Sequence, residues 1–205
     1  MATLATLEDQ VRDKLNLAAS DTPPADAEID NWILDAQNEI VNLLVDDALW
    51  PLVEYSQANG GGNTGQTIPS DTVRILSVAY KPSGGSVTFA QPVSPAMLDQ
   101  VTDGNNSMFT TSSKYWAIKN GQIELSSAAL DEGNSFEVQY VKSPQTTRGS
   151  ECDLPNFLEP LVVDYAVAEA KKQVEEYADA AAIKGEFYQK IGAINQRFTR
   201  LHKVI

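Results

Sequence analysis

The chain has 205 residues, 42% hydrophobic and 21% charged, a composition that buries a core and excludes disorder as the default. Its formal net charge of −13 excludes a dedicated nucleic-acid binder, which gains affinity by setting Lys and Arg against phosphates. No apolar run approaches the ~18–20 residues that span a bilayer, and a lone Cys152 leaves no internal disulfide to form.

The opening stretch, MATLATLEDQ, carries acids and no basic segment leading into an apolar run, so a soluble, unprocessed product is expected. Charge is uneven along the chain. Residues 1–50 hold eleven acids, among them Asp26, Glu28, Asp30, Asp35, Asp46 and Asp47, against Arg12 and Lys14 alone. From Lys184 onward the sign reverses, with Lys190, Arg197, Arg200 and Lys203 against Glu186.

Leu4, Leu7, Val11 and Leu15 recur at spacings of three and four, which predicts a short amphipathic helix. After the prolines and acids of SDTPPADAE, the residues Ile29, Trp32, Ile33, Ala36, Ile40, Leu43 and Leu44 predict a longer one, ending before Trp50-Pro51. The stretch SQANGGGNTGQTIPSD reads as loop, since glycine and asparagine supply positive φ and Pro69 holds Ile68 extended. Beyond it the apolar period becomes two. TVRILSVAY, SVTFA and SFEVQYV predict strands, and KYWAIKNGQIEL predicts a hairpin turning on Asn120-Gly121, the preferred dipeptide of a type I′ turn. SPAMLDQV predicts a short helix with Ser94 as cap and Pro95 in its first position.

The tail returns to helix. Pro155 and Pro160 suit a first turn, where a missing amide does least harm, and Leu158, Leu161, Val162 and Tyr165 form a stripe. Phe187, Ile191, Ile194, Phe198, Leu201 and Ile205 alternate spacings of four and three, the seam of a helix packed lengthwise on another. The predicted fold is α+β. N- and C-terminal helices (1–55 and 151–205) form a helical bundle, and an antiparallel β lobe, a small sandwich or barrel-like sheet, is inserted at 56–150.

No constellation of residues predicts catalysis. Gly60 to Thr67 imitates a phosphate-binding loop, but Gln66 stands where the lysine belongs and the flanks lack the strand-to-helix context, so a flexible surface loop is expected. His202 and Cys152 are the sole residues of their kinds and lie in different segments without a motif. Asp46-Asp47 and Glu175-Glu176 are adjacent on helices and point apart, as on solvated faces. The expectation is a protein that is not an enzyme and holds no cofactor or metal. Tyr115, Trp116 and Tyr140 would serve a carbohydrate-binding module as a stacking platform, although strand alternation assigns Trp116 to the core. The basic tail has two readings: a solvated helix end that suits the dipole, or a face that docks into an acid-rimmed apolar groove on a partner.

The order of segments resembles the head-to-tail adaptor, or connector, proteins of tailed bacteriophages. The resemblance rests on IDNWILDAQNEIV with Trp32 and Ala36, on IPSDTVRILSV, KYWAIKNGQIEL and FEVQYVKSP with Tyr140 and Pro144, and on LPNFLEPLVVDYAVAEAKKQ with Leu154-Pro155 and Tyr165-Ala166. It implies a structural virion protein of the phage neck, assembled in the host cytoplasm. Its copies would form a ring, commonly a dodecamer, beneath the portal protein. A downstream tail or nozzle protein would follow, and genomic DNA would pass through without specific binding. The acidic excess would then repel phosphates along the channel. Arg197, Phe198, Arg200, Leu201, Lys203 and Ile205 become the candidate portal-docking residues. Another neck or tail-completion protein is the alternative in the same setting.

Overall fold

A computed structural model describes residues 2–17, 24–59, 65–81, 85–102, 114–126, 135–144 and 151–202. The helices are α1 (Leu4–Lys14), α2 (Asp26–Leu43), α3 (Pro95–Thr102), α4 (Glu159–Gln173) and α5 (Tyr177–His202). The strands are β1 (Val53–Asn59), β2 (Gly65–Thr67), β3 (Thr72–Lys81), β4 (Thr88–Pro92), β5 (Tyr115–Lys119), β6 (Gln122–Leu125) and β7 (Ser135–Lys142). They fall into two units: Met1–Leu52 with Ser143–Ile205, and Val53–Lys142. The fold is α+β, with a sheet inserted between terminal helices, as the change of period from 3.6 to two predicts.

In the helical unit α1 buries Leu4, Leu7 and Val11, and the Thr3 hydroxyl caps it by accepting from the Thr6 amide at 3.1 Å. Arg12 is also buried; its guanidinium donates to Asp26 Oδ1 at 2.6 Å and to the Pro24 carbonyl at 3.3 Å, tying α1 to the start of α2. In α2 the buried face is Ile29, Ile33, Ala36, Gln37, Ile40 and Val41. Trp32 stays half-buried and Leu43 is exposed, so the stripe lies rotated from the predicted one. The helix ends before Trp50-Pro51, as predicted. Leu44 turns extended at ψ 149°, and a 3-10 segment, Asp46–Leu52, buries Ala48, Leu49 and Leu52.

A 3-10 turn, Asn156–Leu158, opens α4, with Pro160 in its first turn. Leu161, Val162, Val163, Ala166, Val167, Ala168 and Ala170 are all buried, so nearly every side of α4 is covered. It packs against α1, α2 and α5, which accounts for an apolar surface too broad for a single stripe.

In the inserted unit the strand order is β1-β7-β3-β4-β5-β6-β2. Every pairing is antiparallel except β4 with β5, where Gln91 and Pro92 run parallel to Tyr115 and Trp116. The sheet curls: its two outermost strands meet through Gln66, whose amide donates to Ser56 Oγ. Val78, Ala90, Ile123, Leu125, Phe136, Val138 and Tyr140 fill the inside, with Trp116 packed against them. α3 covers the other side of β5, where Leu98 meets Tyr115 and Ala117. Ser94 Oγ accepts from the Met97 amide at 3.3 Å, the predicted cap. Asn120 and Gly121 both take positive φ, 51° and 73°, as a type I′ turn requires.

β2 corrects one expectation. Gly65–Thr67, read as surface loop, pairs with Gln122–Glu124 of β6 and buries Gln66. The rest of that glycine-rich stretch, 60–64, lies outside the described residues.

Candidate docking surface

The predicted site is carried by α5, and its geometry begins with the seam. Phe187 and Ile191 are buried, and Phe187 meets Tyr165 of α4 edge-on with ring centroids 5.3 Å apart. One and two turns further along, Ile194 and Phe198 are only half-buried. The apolar face therefore thins toward the C-terminal end of the helix.

Polar contacts fix α5 along its length. Lys184 pairs with Glu169 and lies 4.0 Å over the Tyr165 ring. The Tyr188 hydroxyl donates to Glu39 Oε1 at 3.1 Å. Lys190 reaches Asp164 at 2.8 Å, and the same carboxylate takes Lys14 of α1 at 2.6 Å. Asn195 is bonded to the backbone at the end of α2, accepting from the Val45 amide at 3.0 Å and donating to the Leu43 carbonyl at 2.8 Å. These ties leave the inner face of α5 occupied by its own chain as far as Asn195.

Beyond that point lie the predicted docking residues. Arg197 is exposed. Phe198 stacks on Phe157, with centroids 6.3 Å apart and ring planes 26° apart, so part of the predicted face is used at home. The backbone of Arg200 and Leu201 continues the helix, while their side chains, with Lys203 and Ile205, lie outside the described residues. Phe157 itself remains 48% exposed, so the Phe157–Phe198 pair leaves an apolar edge at the surface. Sequence reasoning missed both Asn195 and Phe157: neither belongs to the apolar period of α5, and only the fold brings them to its end.

The other polar groups act as structural ties. Cys152 is fully buried, donates weakly to Gln37 Oε1 at 3.5 Å, and has its thiol pushed up to about 11 by burial. Among the described residues no group of three His, Cys, Asp or Glu side chains is placed to hold a metal ion. A groove of about 460 Å³ is floored by Leu15, Leu17, Pro24, Trp32, Ala170 and Val174. The two lysines on its rim, Lys14 and Lys171, are spoken for by Asp164 and by Glu176. Tyr115, Trp116 and Tyr140 pack into the insert, so they do not form an open stacking platform.

A family model described as SU10 adaptor protein matches residues 2–203. No curated protein matches the chain.

Proposed function

The chain belongs to the SU10 adaptor protein family, a family of bacteriophage adaptors, and from that premise we propose that it joins head to tail in the virion neck. Copies form a ring, a dodecamer, beneath the portal protein, a tail or nozzle protein attaches below, and the genome passes through the centre. The observation that carries the reading is the extent of the family match, which runs through both units. The role is structural.

The net charge of −13 supports the passage: carboxylates facing a channel repel phosphate, so DNA leaves without adhering. The distal end of α5 supports the docking surface. There the exposed Arg197 and the Phe198–Phe157 pair combine a cation with an apolar edge, the pairing that suits an acid-rimmed groove on a portal subunit. Arg200, Leu201, Lys203 and Ile205 continue that face in the sequence.

The test is to incubate the purified protein with portal rings and image the product by electron microscopy. A second ring stacked coaxially on the portal is expected. Binding to isolated tails but not to portals would transfer the protein to tail completion. Absence from purified particles by mass spectrometry would overturn the neck assignment altogether.

A further inference from the structure

Just beyond the end of α2 runs the 3-10 segment Asp46–Leu52, which packs against α5. It buries Ala48, Leu49 and Leu52 and turns Asp46, Asp47 and Trp50 outward. Residues three apart in such a segment eclipse one another, so Leu49 and Leu52 share the inner side and Asp47 and Trp50 the outer one. The phase survives the kink at Leu49 (φ −107°, ψ 16°), since burial repeats at 49 and 52. Trp50 is 70% exposed, the most exposed of the large apolar side chains among the described residues. An indole left in water gives up the large apolar area that burial would reward, and tryptophan is over-represented among the residues that anchor interfaces.

This segment adjoins the proposed docking surface. Asn195 of α5 bonds to the Leu43 carbonyl and the Val45 amide, immediately before the 3-10 segment, and Arg197 and Phe198 follow Asn195 within one turn. The two sides of these bonds differ in charge: an exposed Arg197 beside the Phe198–Phe157 stack, and exposed carboxylates beside an indole. An acid-rimmed groove suits Arg197 and would repel Asp46 and Asp47. An indole with a carboxylate at its edge is complementary to a guanidinium, which stacks on the ring while its N–H groups donate to the oxygens; the compact, strongly hydrated ammonium of lysine fits it less well. We infer that Asp47 and Trp50 form a socket for an arginine of the portal subunit, so that the partner surface is bipolar, acidic opposite Arg197 and basic opposite Asp47. Asp47 need not be unpaired for this, because a carboxylate accepts from several donors at once. The inference rests on the proposed portal docking and adds to it the cation that the partner presents.

Co-sedimentation with portal rings tests it, because Asp47→Lys changes binding in opposite directions on the two descriptions of the partner. A groove acidic throughout would bind Asp47→Lys more tightly; an arginine facing position 47 should weaken its binding about tenfold. Trp50→Leu should weaken binding about fivefold while Trp50→Tyr stays within about twofold of the parent, since tyrosine keeps a π face and leucine only the apolar area. Both positions are exposed, so the urea midpoints of these variants should stay near that of the parent. Equal or tighter binding by Asp47→Lys, or equal binding by Trp50→Leu and Trp50→Tyr, would overturn the inference.

Should the lysine disturb the 3-10 segment, Asp47→Asn gives a second reading. It should bind portals about threefold more weakly at low salt and with a smaller dependence on salt; an undiminished salt dependence would overturn the pairing. Sedimentation velocity of the protein alone separates the other occupant. If Asp47→Lys and Trp50→Leu alter self-association and leave portal binding at the strength of the parent, the socket belongs to a second copy and the portal arginine is overturned. Undiminished portal binding by these variants overturns the socket and leaves the neck assignment standing; a parent protein that fails to bind portals overturns the portal docking itself, and the socket with it.

Discussion

Asn195 closes the end of α2 from 152 residues away, its Nδ2 donating to the Leu43 carbonyl at 2.8 Å. Helices leave their last carbonyls without partners, and here a side chain of α5 supplies one while also accepting from the Val45 amide. Asn195→Ala removes both bonds and should cost about 1–2 kcal/mol, read as a lower urea midpoint with an unchanged slope. Asn195→Asp should cost more than alanine. It keeps an acceptor for Val45 but sets a carboxylate against a carbonyl at the negative end of the helix. A midpoint for Asn195→Asp above that of Asn195→Ala would show that the bond from the Val45 amide outweighs any repulsion at the Leu43 carbonyl.

Asp164 gathers Lys14 and Lys190, and so joins α1, α4 and α5 at one carboxylate. Burial alone pushes that carboxyl up, but its hydrogen bonds to the two ammonium groups outweigh burial and hold it below the ordinary range. A carboxyl lowered on folding stabilises the protein above its unfolded pKa, near ~4, and the contribution disappears as pH falls through the folded value. Asp164→Asn should therefore lose about 1–2 kcal/mol at neutral pH. The gap between variant and parent should close in the acid range below ~pH 4. Urea midpoints measured at neutral pH and in acid would show it. Glu169, beside Lys184 and Lys172, is lowered in the same direction despite its burial, so the parent protein should weaken across the same window.

What could be read in the sequence was what local rules decide. Ser94-Pro95 starts α3 and Asn120-Gly121 turns the β5–β6 hairpin because a cap and a left-handed turn depend on adjacent residues alone. β2 escaped notice because three residues, Gly65–Thr67, carry no period; their partner, Gln122–Glu124, lies more than 50 residues on. The parallel pairing of β4 with β5 is equally non-local. The buried face of α2 was misplaced where a polar residue, Gln37, goes inside beside Cys152 while Trp32 stays half-buried. The corner between α4 and α5, where Glu175 takes φ 65°, is illegible for a stronger reason, since local preference points to continuous helix and packing overrules it. Of the proposed docking face, Phe198 follows from the apolar spacing of α5, while Phe157, which stacks on it, does not.

Gly121 offers a clean measure of backbone conformation. A Cβ added there meets nothing within 4 Å, so Gly121→Ala introduces no clash and acts only through φ 73°. The expected cost is about 1 kcal/mol, seen as a lower thermal midpoint. Asn120→Gly, at φ 51°, should be close to neutral, because glycine also takes this turn conformation. If Gly121→Ala leaves the midpoint unchanged, the turn in solution is not the type I′ turn described.

The proposed docking surface can be tested without disturbing the fold, provided the Asn195 bonds are spared. A chain stopped after Ile194 would lose them, and loss of portal binding would then report unfolding as readily as docking. Stopping after Gln196 keeps them while removing Arg197, Phe198 and everything beyond. A finer cut separates the two chemistries. Arg197 is exposed, so Arg197→Glu should leave stability within about 0.5 kcal/mol of the parent. It should nonetheless weaken co-sedimentation with portal rings about five- to tenfold, with the difference shrinking in high salt as screening grows. Phe198→Ala should act on both quantities, because the ring that would face the portal is the one stacked on Phe157; its stability cost should be about 1–2 kcal/mol. Portal binding by Arg197→Glu at the strength of the parent would remove the distal end of α5 from the docking surface. A fall in binding that tracks only the loss of stability in Phe198→Ala would do the same for the aromatic edge.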